Sequence, residues 1–244
     1  VTLPTLDDRL RLRERPERRP LVQQSWGKLL FMHWRIDVGA LRPLIPAGLE
    51  IDTFDGSAWV AVVPFTMWNT RPTSLLAVPW FSAMHELNVR TYVHFDSAPG
   101  VWFFSLDCNS ALAVWGARTF YHVPYFNAAI DLVQNAGEID YSLHRTDKPA
   151  ADFHSVWNIG ESLPRSEPES LEFFLTERYC LYSEHKNKLY RANIHHPPWP
   201  LQRAEVKSLQ STMLEAAGVS TPDQEPLLHY AESIDVDIWS LEKV

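Results

Sequence analysis

A chain of 244 residues with 45% hydrophobic and 21% charged content has the make-up of a globular domain with a full core. Its net charge of −8 argues against a general nucleic-acid binder, which needs surplus lysine and arginine to meet phosphates. No apolar run approaches the ~18 residues of a membrane-spanning helix, so no membrane partner is expected.

The N-terminal RLRLRERPERRP is arginine-rich, but Asp7, Asp8, Glu14 and Glu17 are mixed in, unlike a transit peptide. Residues 1–20 therefore read as a charged, solvated arm or helix ending at Pro16 or Pro20, within a single domain spanning 1–244 and expected in the cytoplasm. LLFMHWRI (29–36) predicts a strand, followed by a short helical signal, DVGALRPLIPAGL, stopped by Pro46 and Gly48. AWVAVVPFTMW (58–68) is apolar on both faces and predicts a central, doubly buried strand, with Pro64 marking a bulge or bend. HELNVRTYVHF (85–95) and VWFFSLDC (101–108) predict a hairpin connected by SAPG.

SALAVWGARTFY switches to helical spacing, with Ser110 as its N-cap. Short strands are expected around 128–133, 139–145 and 153–159. PESLEFFL reads as one or two helical turns, and RYCLYSEHKNKLYRANI as a second hairpin turning at 185–187. QRAEVKSLQSTMLEAAG predicts an amphipathic helix closed by Gly218, and SIDVDIWSL a last strand. Many strands with sequential hairpins and few helices imply an α+β fold. Its sheet is mainly antiparallel, closed as a barrel or strongly curved, with a few flanking helices.

Polar groups fall in rows. On HELNVRTYVHF, residues Glu86, Asn88, Arg90, Tyr92 and His94 share one face. That face either meets water or lines an interior, where each charge must find a partner. In the helix, Ala111, Val114, Trp115 and Arg118 follow i, i+3, i+4, i+7, which predicts Arg118 on the apolar face. There it would snorkel past the helix end or pair with Asp107 or Glu86. Two basic groups, His33 and Arg35, end the face begun by Leu29 and Phe31. Tyr121 and Tyr125 put phenols among Phe120, Val123 and Phe126 in ARTFYHVPYFNA (117–128).

The histidines show no metal-ligand spacing, and there is no nucleophile elbow or glycine-rich phosphate loop. No metal and no cofactor are expected. Cys108 and Cys180 read as buried thiols, with one disulfide left open by their spacing.

Blocks in order carry a family likeness: WGKLLFMHW, LRPLIPAGLEIDTFDGSAWVAVVPF, HELNVRTYV, GVWFFSLD, FLTERYCLY and HHPPWPL, with an Ala-Arg pair ahead of Val-Pro-Tyr. They resemble the YqjF-like family of conserved proteins, grouped with the acetoacetate decarboxylase-like superfamily. The resemblance implies a cone-shaped antiparallel β-barrel with flanking helices and a central cavity. The decarboxylases carry Gly-Arg-Glu followed by x-Pro-Lys-Lys, whose lysine after the proline forms a Schiff base with substrate. Here Ala117-Arg118-Thr119 and Val123-Pro124-Tyr125-Phe126 stand in those places. The arginine and proline match, both lysines are gone, and neither tyrosine nor phenylalanine can form an imine. Glu86 resembles a glutamate of the decarboxylase pocket, and His33 or Arg35 a basic residue on an early strand.

Three functional readings follow. The first is an enzyme of lyase or isomerase type acting on a small oxo-acid or carbonyl compound by acid/base chemistry. Glu86, Arg118 and Tyr125 would be its catalytic groups, and His33, Arg35, Asn88, Arg90, Asp107 and Tyr121 would bind the ligand. The second is a non-catalytic binder of a small organic molecule, with carboxylates among the candidates. The third is a structural or interaction protein with a filled barrel. Homo-oligomerisation is expected from the superfamily and from the exposed edges of open sheets.

Overall fold

The computed structural model describes residues 3–73 and 83–244. Helix α1 (Leu6–Leu12) leads into the long strand β1 (Val22–Ile36), α2 (Val38–Leu41) with a 3-10 turn at Arg42–Leu44, and the short β2 (Glu50–Ile51). Strands β3 (Ala58–Pro72), β4 (Ala83–Phe95) and β5 (Ala98–Cys108) follow, then α3 (Ala111–Phe120). Next come β6 (Tyr125–Asn135), β7 (Glu138–Arg145), β8 (Asp152–Ser162) and α4 (Leu171–Thr176). The chain closes with β9 (Cys180–His185), β10 (Lys188–His195), β11 (Leu201–Ser211), α5 (Met213–Ala216), β12 (Leu227–Ile238) and β13 (Glu242–Lys243).

All the strands of the described residues join one sheet. Pairing is antiparallel except between β5 and β6 and between β5 and β9. The sheet curls into rings because β5 reaches β12 by separate routes. One runs through β4, β3 and β1, another through β6, β7, β8 and β11, and a third through β9 and β10. The result is the expected curved, mainly antiparallel α+β fold, ring-like rather than a simple barrel.

This layout buries β1, β3 and β4 on both faces. Alternate residues of β3 enter different cores: Val60 and Val62 join one cluster with Leu30, Met32, Leu87 and Val89. Trp59, Ala61, Val63 and Phe65 join the other with Leu29, Phe31 and Tyr92. The period of two along a strand makes this division unavoidable. Pro64 sits where the ladder to β1 breaks, between Gly27 and Met32, with Lys28 at φ 48 in the gap. Toward β4 the pairing runs unbroken through Pro64 and Leu87, so the missing N–H faces the bulge as expected.

Both predicted hairpins form. Lys186-Asn187 turns the second with φ of 52 and 58, the signature of a type I′ turn. The first turns at Asp96-Ser97, φ 46 and 60, so only Ser97 of SAPG is in the turn; Ala98, Pro99 and Gly100 lie inside β5. Gly100 is needed there for close packing. A Cβ would lie 2.6 Å from Cys180 Sγ and 2.7 Å from the Cys180 carbonyl oxygen. Backbone cannot yield as a side chain can, so Gly100→Ala is expected to destabilise by about 1–3 kcal/mol, read from a denaturant midpoint.

One element is corrected. The segment from Gln202 was expected to be an amphipathic helix, but β11 is a strand and only Met213–Ala216 is helical, with Gly218 past its end at φ 79. Leu201, Ala204 and Val206 are covered between exposed Arg203, Glu205 and Lys207. The register then shifts between Val206 and Ser208, which returns Leu209 to the covered face. That bulge turns a period of two into a three-residue step and imitates helical spacing.

The N-terminal arm is also less free than its charge suggested. Thr5 caps α1 in a capping box, and the helix ends at Leu12, before Pro16. Arg9 grips the buried Asp52 through both guanidinium ends at 2.7 Å, and Arg178 shares that carboxylate at 2.6 Å. Cys108 and Cys180 are free buried thiols. Among the described residues, no helix is long and apolar enough to cross a membrane.

Candidate functional site

Strand β4 is paired on both sides and buried on both faces, so its polar row faces the interior and not water. Glu86, Asn88 and Arg90 are 2%, 5% and 9% exposed. They point toward the core that holds Phe31, Tyr92 and Trp199.

At one end of the row, the Tyr125 hydroxyl donates to Glu86 Oε2 at 2.6 Å. Topology makes this contact: Tyr125 opens β6 beside Leu106 of β5, and Cys108 of β5 pairs with Glu86. Burial pushes the Glu86 carboxyl up to about 8, against the pull of the Tyr125 hydrogen bond and with the Asp107 charge adding to the rise. At neutral pH Glu86 is therefore largely a carboxylic acid. Burial, with Glu86 beside it, holds the Tyr125 phenol well above its ordinary value. Tyr141 donates to the Glu86 carbonyl oxygen at 2.9 Å, fixing the strand at this point.

At the other end, the Arg90 guanidinium lies 5.4 Å from the centre of the Phe31 ring and 5.8 Å from that of Tyr92. It has no carboxylate in ion-pair range among the described residues. His33 Nε2 meets the Tyr92 hydroxyl at 2.7 Å, and that hydroxyl donates to the Leu175 carbonyl at 2.9 Å. The phenol has one proton, so His33 donates from Nε2 and its Nδ1 is a bare acceptor. Burial first, then the Arg90 charge, holds His33 well below the usual imidazole range, and the ring is neutral. The His229 ring is 6.5 Å away, and Trp199 packs edge-on against Phe31 at 5.0 Å.

Five buried polar atoms in this neighbourhood lack a partner among the described residues: His33 Nδ1, Asn88 Oδ1, Arg90 Nε, Trp199 Nε1 and His229 Nδ1. Buried polar atoms are almost always paired, so each of these is an unmet hydrogen-bonding group. His229 and Trp199 were not among the residues expected from sequence. His229 alternates with Leu227 and Ala231, a strand signal that starts before SIDVDIWSL.

Arg118 is a correction. The buried side of α3 carries Val114, with Ala113, Ala117 and Tyr121 packed beside it. Leu112 and Trp115 are 54% and 58% exposed. The covered stripe is thus rotated from the one chosen, and the Arg118 side chain is 46% exposed. It donates to the Tyr125 carbonyl at 2.7 Å and to Asp147 at 2.9 Å, not to Asp107 or Glu86.

Asp107 instead pairs with Arg145 in a bidentate contact at 2.5 and 2.8 Å. Arg35 is exposed, its guanidinium 5.4 Å from the Trp59 ring centre. Tyr121 is half-buried, its hydroxyl has no partner among the described residues, and burial pushes that phenol up to about 12. The structure therefore brings Glu86, Tyr125, Asn88, Arg90 and His33 to one interior face and leaves Arg35 and Arg118 outside it. No group of three metal-ligating side chains occurs among the described residues.

Solved structures share this architecture at low identity. The enduracididine biosynthesis enzyme MppR complexed with pyruvate superposes with a TM-score of 0.66 at 14% identity, over 94% of this chain and 93% of that one. MppR has also been solved with the condensation product of pyruvate and imidazole 4-carboxaldehyde. An acetoacetate decarboxylase superposes with a TM-score of 0.64 at 14% identity, over 98% of this chain and 97% of that one. These likenesses concern the fold, which is acetoacetate decarboxylase-like. The uncharacterized protein YqjF of Bacillus subtilis (strain 168) is 44% identical over 223 residues, 91% of this chain and 92% of that protein. With residues 23–235 matching the family model as well, the chain belongs to the DUF2071 family of uncharacterized conserved proteins.

Proposed function

We propose that the interior row of β4 binds a small organic acid, with Arg90 taking the carboxylate and Glu86 moving a proton at the other end. The observation that carries this reading is the set of orphaned polar atoms around a buried arginine that has an unpartnered Nε and no carboxylate in ion-pair range among the described residues. A desolvated guanidinium without a partner is costly, and a carboxylate relieves it by a bidentate pair. His33 Nδ1 and Asn88 Oδ1 are acceptors suited to hydroxyl or enol protons, Trp199 Nε1 is a donor, and His229 Nδ1 takes either role according to its tautomer.

Arg90 and Glu86 are separated by about 13 Å of strand, with Asn88 between them. That spacing suits a short chain with its acid at Arg90 and a carbonyl near Asn88 and Glu86. A protonated Glu86 can deliver its proton to a developing enolate or alkoxide and recover it later, with the Tyr125 hydroxyl hydrogen-bonded alongside. Lys28 is half-buried at the β1 bulge, and Lys148, Lys186, Lys188, Lys207 and Lys243 are exposed. Imine chemistry therefore finds no buried amine, and isomerisation, hydration or dehydration suits the groups present. Pyruvate bound to the fold neighbour MppR supports an oxo-acid as the ligand class.

The test is a calorimetric screen of small oxo-acids, followed by NMR detection of proton exchange or turnover in D2O. Arg90→Gln, with its fold checked by circular dichroism, is expected to weaken binding by about 30-fold or more. Glu86→Gln should keep binding and lower turnover by about 10²–10⁴-fold. Equal affinity in Arg90→Gln would remove the acid subsite. Undiminished turnover in Glu86→Gln would remove its proton-transfer role, and binding without any turnover would leave a ligand-binding protein.

A further inference from the structure

A second polar concavity lies apart from the β4 row. It is a groove of about 440 Å³ between the α3–β6 connection and strand β9, lined among others by Trp102, Arg118, His122, Ser183, His185 and one acid, the exposed Glu184. None of Glu86, Asn88, Arg90 or His33 lines it. We propose that this groove is a binding site for small planar aromatic carboxylates, separate from the interior site.

Three observations on the groove support it. Its wall holds two imidazoles from distant segments, His122 and His185, stacked with ring centres 4.1 Å apart and 12° between planes. Tyr190 meets His122 edge-on at 5.6 Å, which fixes that ring from a third side. His122 sits at φ 53, an uncommon conformation for a residue other than glycine, and surrounding contacts must hold it there. The stack and the Trp102 indole give the groove flat π faces, which favour a planar guest over a puckered one.

Ser183 supplies the second observation. It is 2% exposed, it lines the groove, and its hydroxyl has no partner among the described residues. A buried hydroxyl without a partner in the wall of a concavity is an unmet group that a ligand oxygen would satisfy. Arg118 supplies the third. Its Nε and Nη2 are committed to the Tyr125 carbonyl and Asp147, which holds the guanidinium in place while Nη1 remains for an incoming carboxylate. The volume is at the lower end of the range for small-molecule sites and suits an acid of one or two rings.

The experiment is an NMR titration of the full chain with benzoate, indole-3-carboxylate and cyclohexanecarboxylate, following the imidazole signals of His122 and His185. Both aromatic acids are expected to shift these signals saturably, with cyclohexanecarboxylate about tenfold weaker or worse. His185→Ala, at an exposed hairpin turn, should weaken the aromatic acids about tenfold. Ser183→Ala, which removes a hydroxyl that has no partner, should act in the same direction. Glu86→Gln and Arg90→Gln should leave this titration unchanged, which separates it from the interior site. The proposal is overturned by imidazole signals that do not move at about 10 mM acid. Equal binding of the puckered acid, or full affinity in both groove variants, overturns it too. Loss of the titration in Arg90→Gln would place the acid in the interior row instead.

Discussion

Arg145→Met is expected to destabilise the protein by about 3–5 kcal/mol, measured as a lower denaturant midpoint at unchanged slope. Side-chain exposure of Arg145 and Asp107 is 1% and 0%, so solvent cannot take over from a missing partner. The guanidinium donates twice to Asp107, once to the Pro149 carbonyl at 3.2 Å, and lies 4.1 Å from the Phe126 ring centre. Removing it strands a carboxylate between β5 and β6. Burial already pushes the Asp107 carboxyl up, against the pull of Arg145, so in the variant Asp107 will take up a proton to escape its charge. The sign follows: a carboxyl whose folded value lies above its unfolded value costs stability as pH rises between the two. Arg145→Met should therefore lose least in acid and most at neutral pH. Adding Asp107→Leu should recover much of the loss, because an apolar pair often replaces a buried ion pair without cost. A single-variant cost below about 1 kcal/mol would mean the pair is not desolvated as drawn.

The same pair shows where sequence reading stops. Helical spacing offered Asp107, about one turn ahead of Ala111, as a partner for Arg118, whereas Asp107 pairs with Arg145 and Arg118 with Asp147. Arg145 comes from the far edge of β7, next to a loop, and nothing local announces it. Only the β5–β6–β7 pairing brings it across. Strand alternation, by contrast, is a local property. It disclosed the Glu86–Asn88–Arg90 row outright, while its burial depended on β3 and β5 flanking β4. Helical registers near a stripe boundary are ambiguous by one rotation, which misplaced Arg118. The bulge in β11 produced a false helical step. The strand and hairpin pattern already implied a barrel or strongly curved sheet; family likeness added a central cavity, which favoured an inward-facing Glu86 row. Tyr125 was located by its place after Pro124, and the hydrogen bond to Glu86 became visible only with β4, β5 and β6 side by side.

Glu86→Gln is expected to become progressively more stable than the parent as pH rises. The carboxyl moves from an ordinary 4.5 to about 8 on folding, chiefly because burial penalises its charge. In the parent, the folded state holds a proton in this window that the unfolded state has released. Stability from this group is therefore fully present in acid, falls as pH rises from about 4.5 to about 8, and is constant above. Glutamine has no such linkage and keeps an amide oxygen to accept from Tyr125. The difference between variant and parent should grow by on the order of 3–5 kcal/mol across the window, read from denaturant midpoints at fixed pH values. A flat difference would show that Glu86 ionises freely and is hydrated, contrary to its 2% exposure. The same titration sets the sign of any activity. If Glu86 delivers the proton, kcat/KM in the parent holds below about 8 and falls above it; a rise through that value would make Glu86 the base. Stability and turnover then report one proton from two sides. Agreement of their midpoints within about one pH unit is the outcome that ties the chemistry to this carboxyl rather than to a surface group.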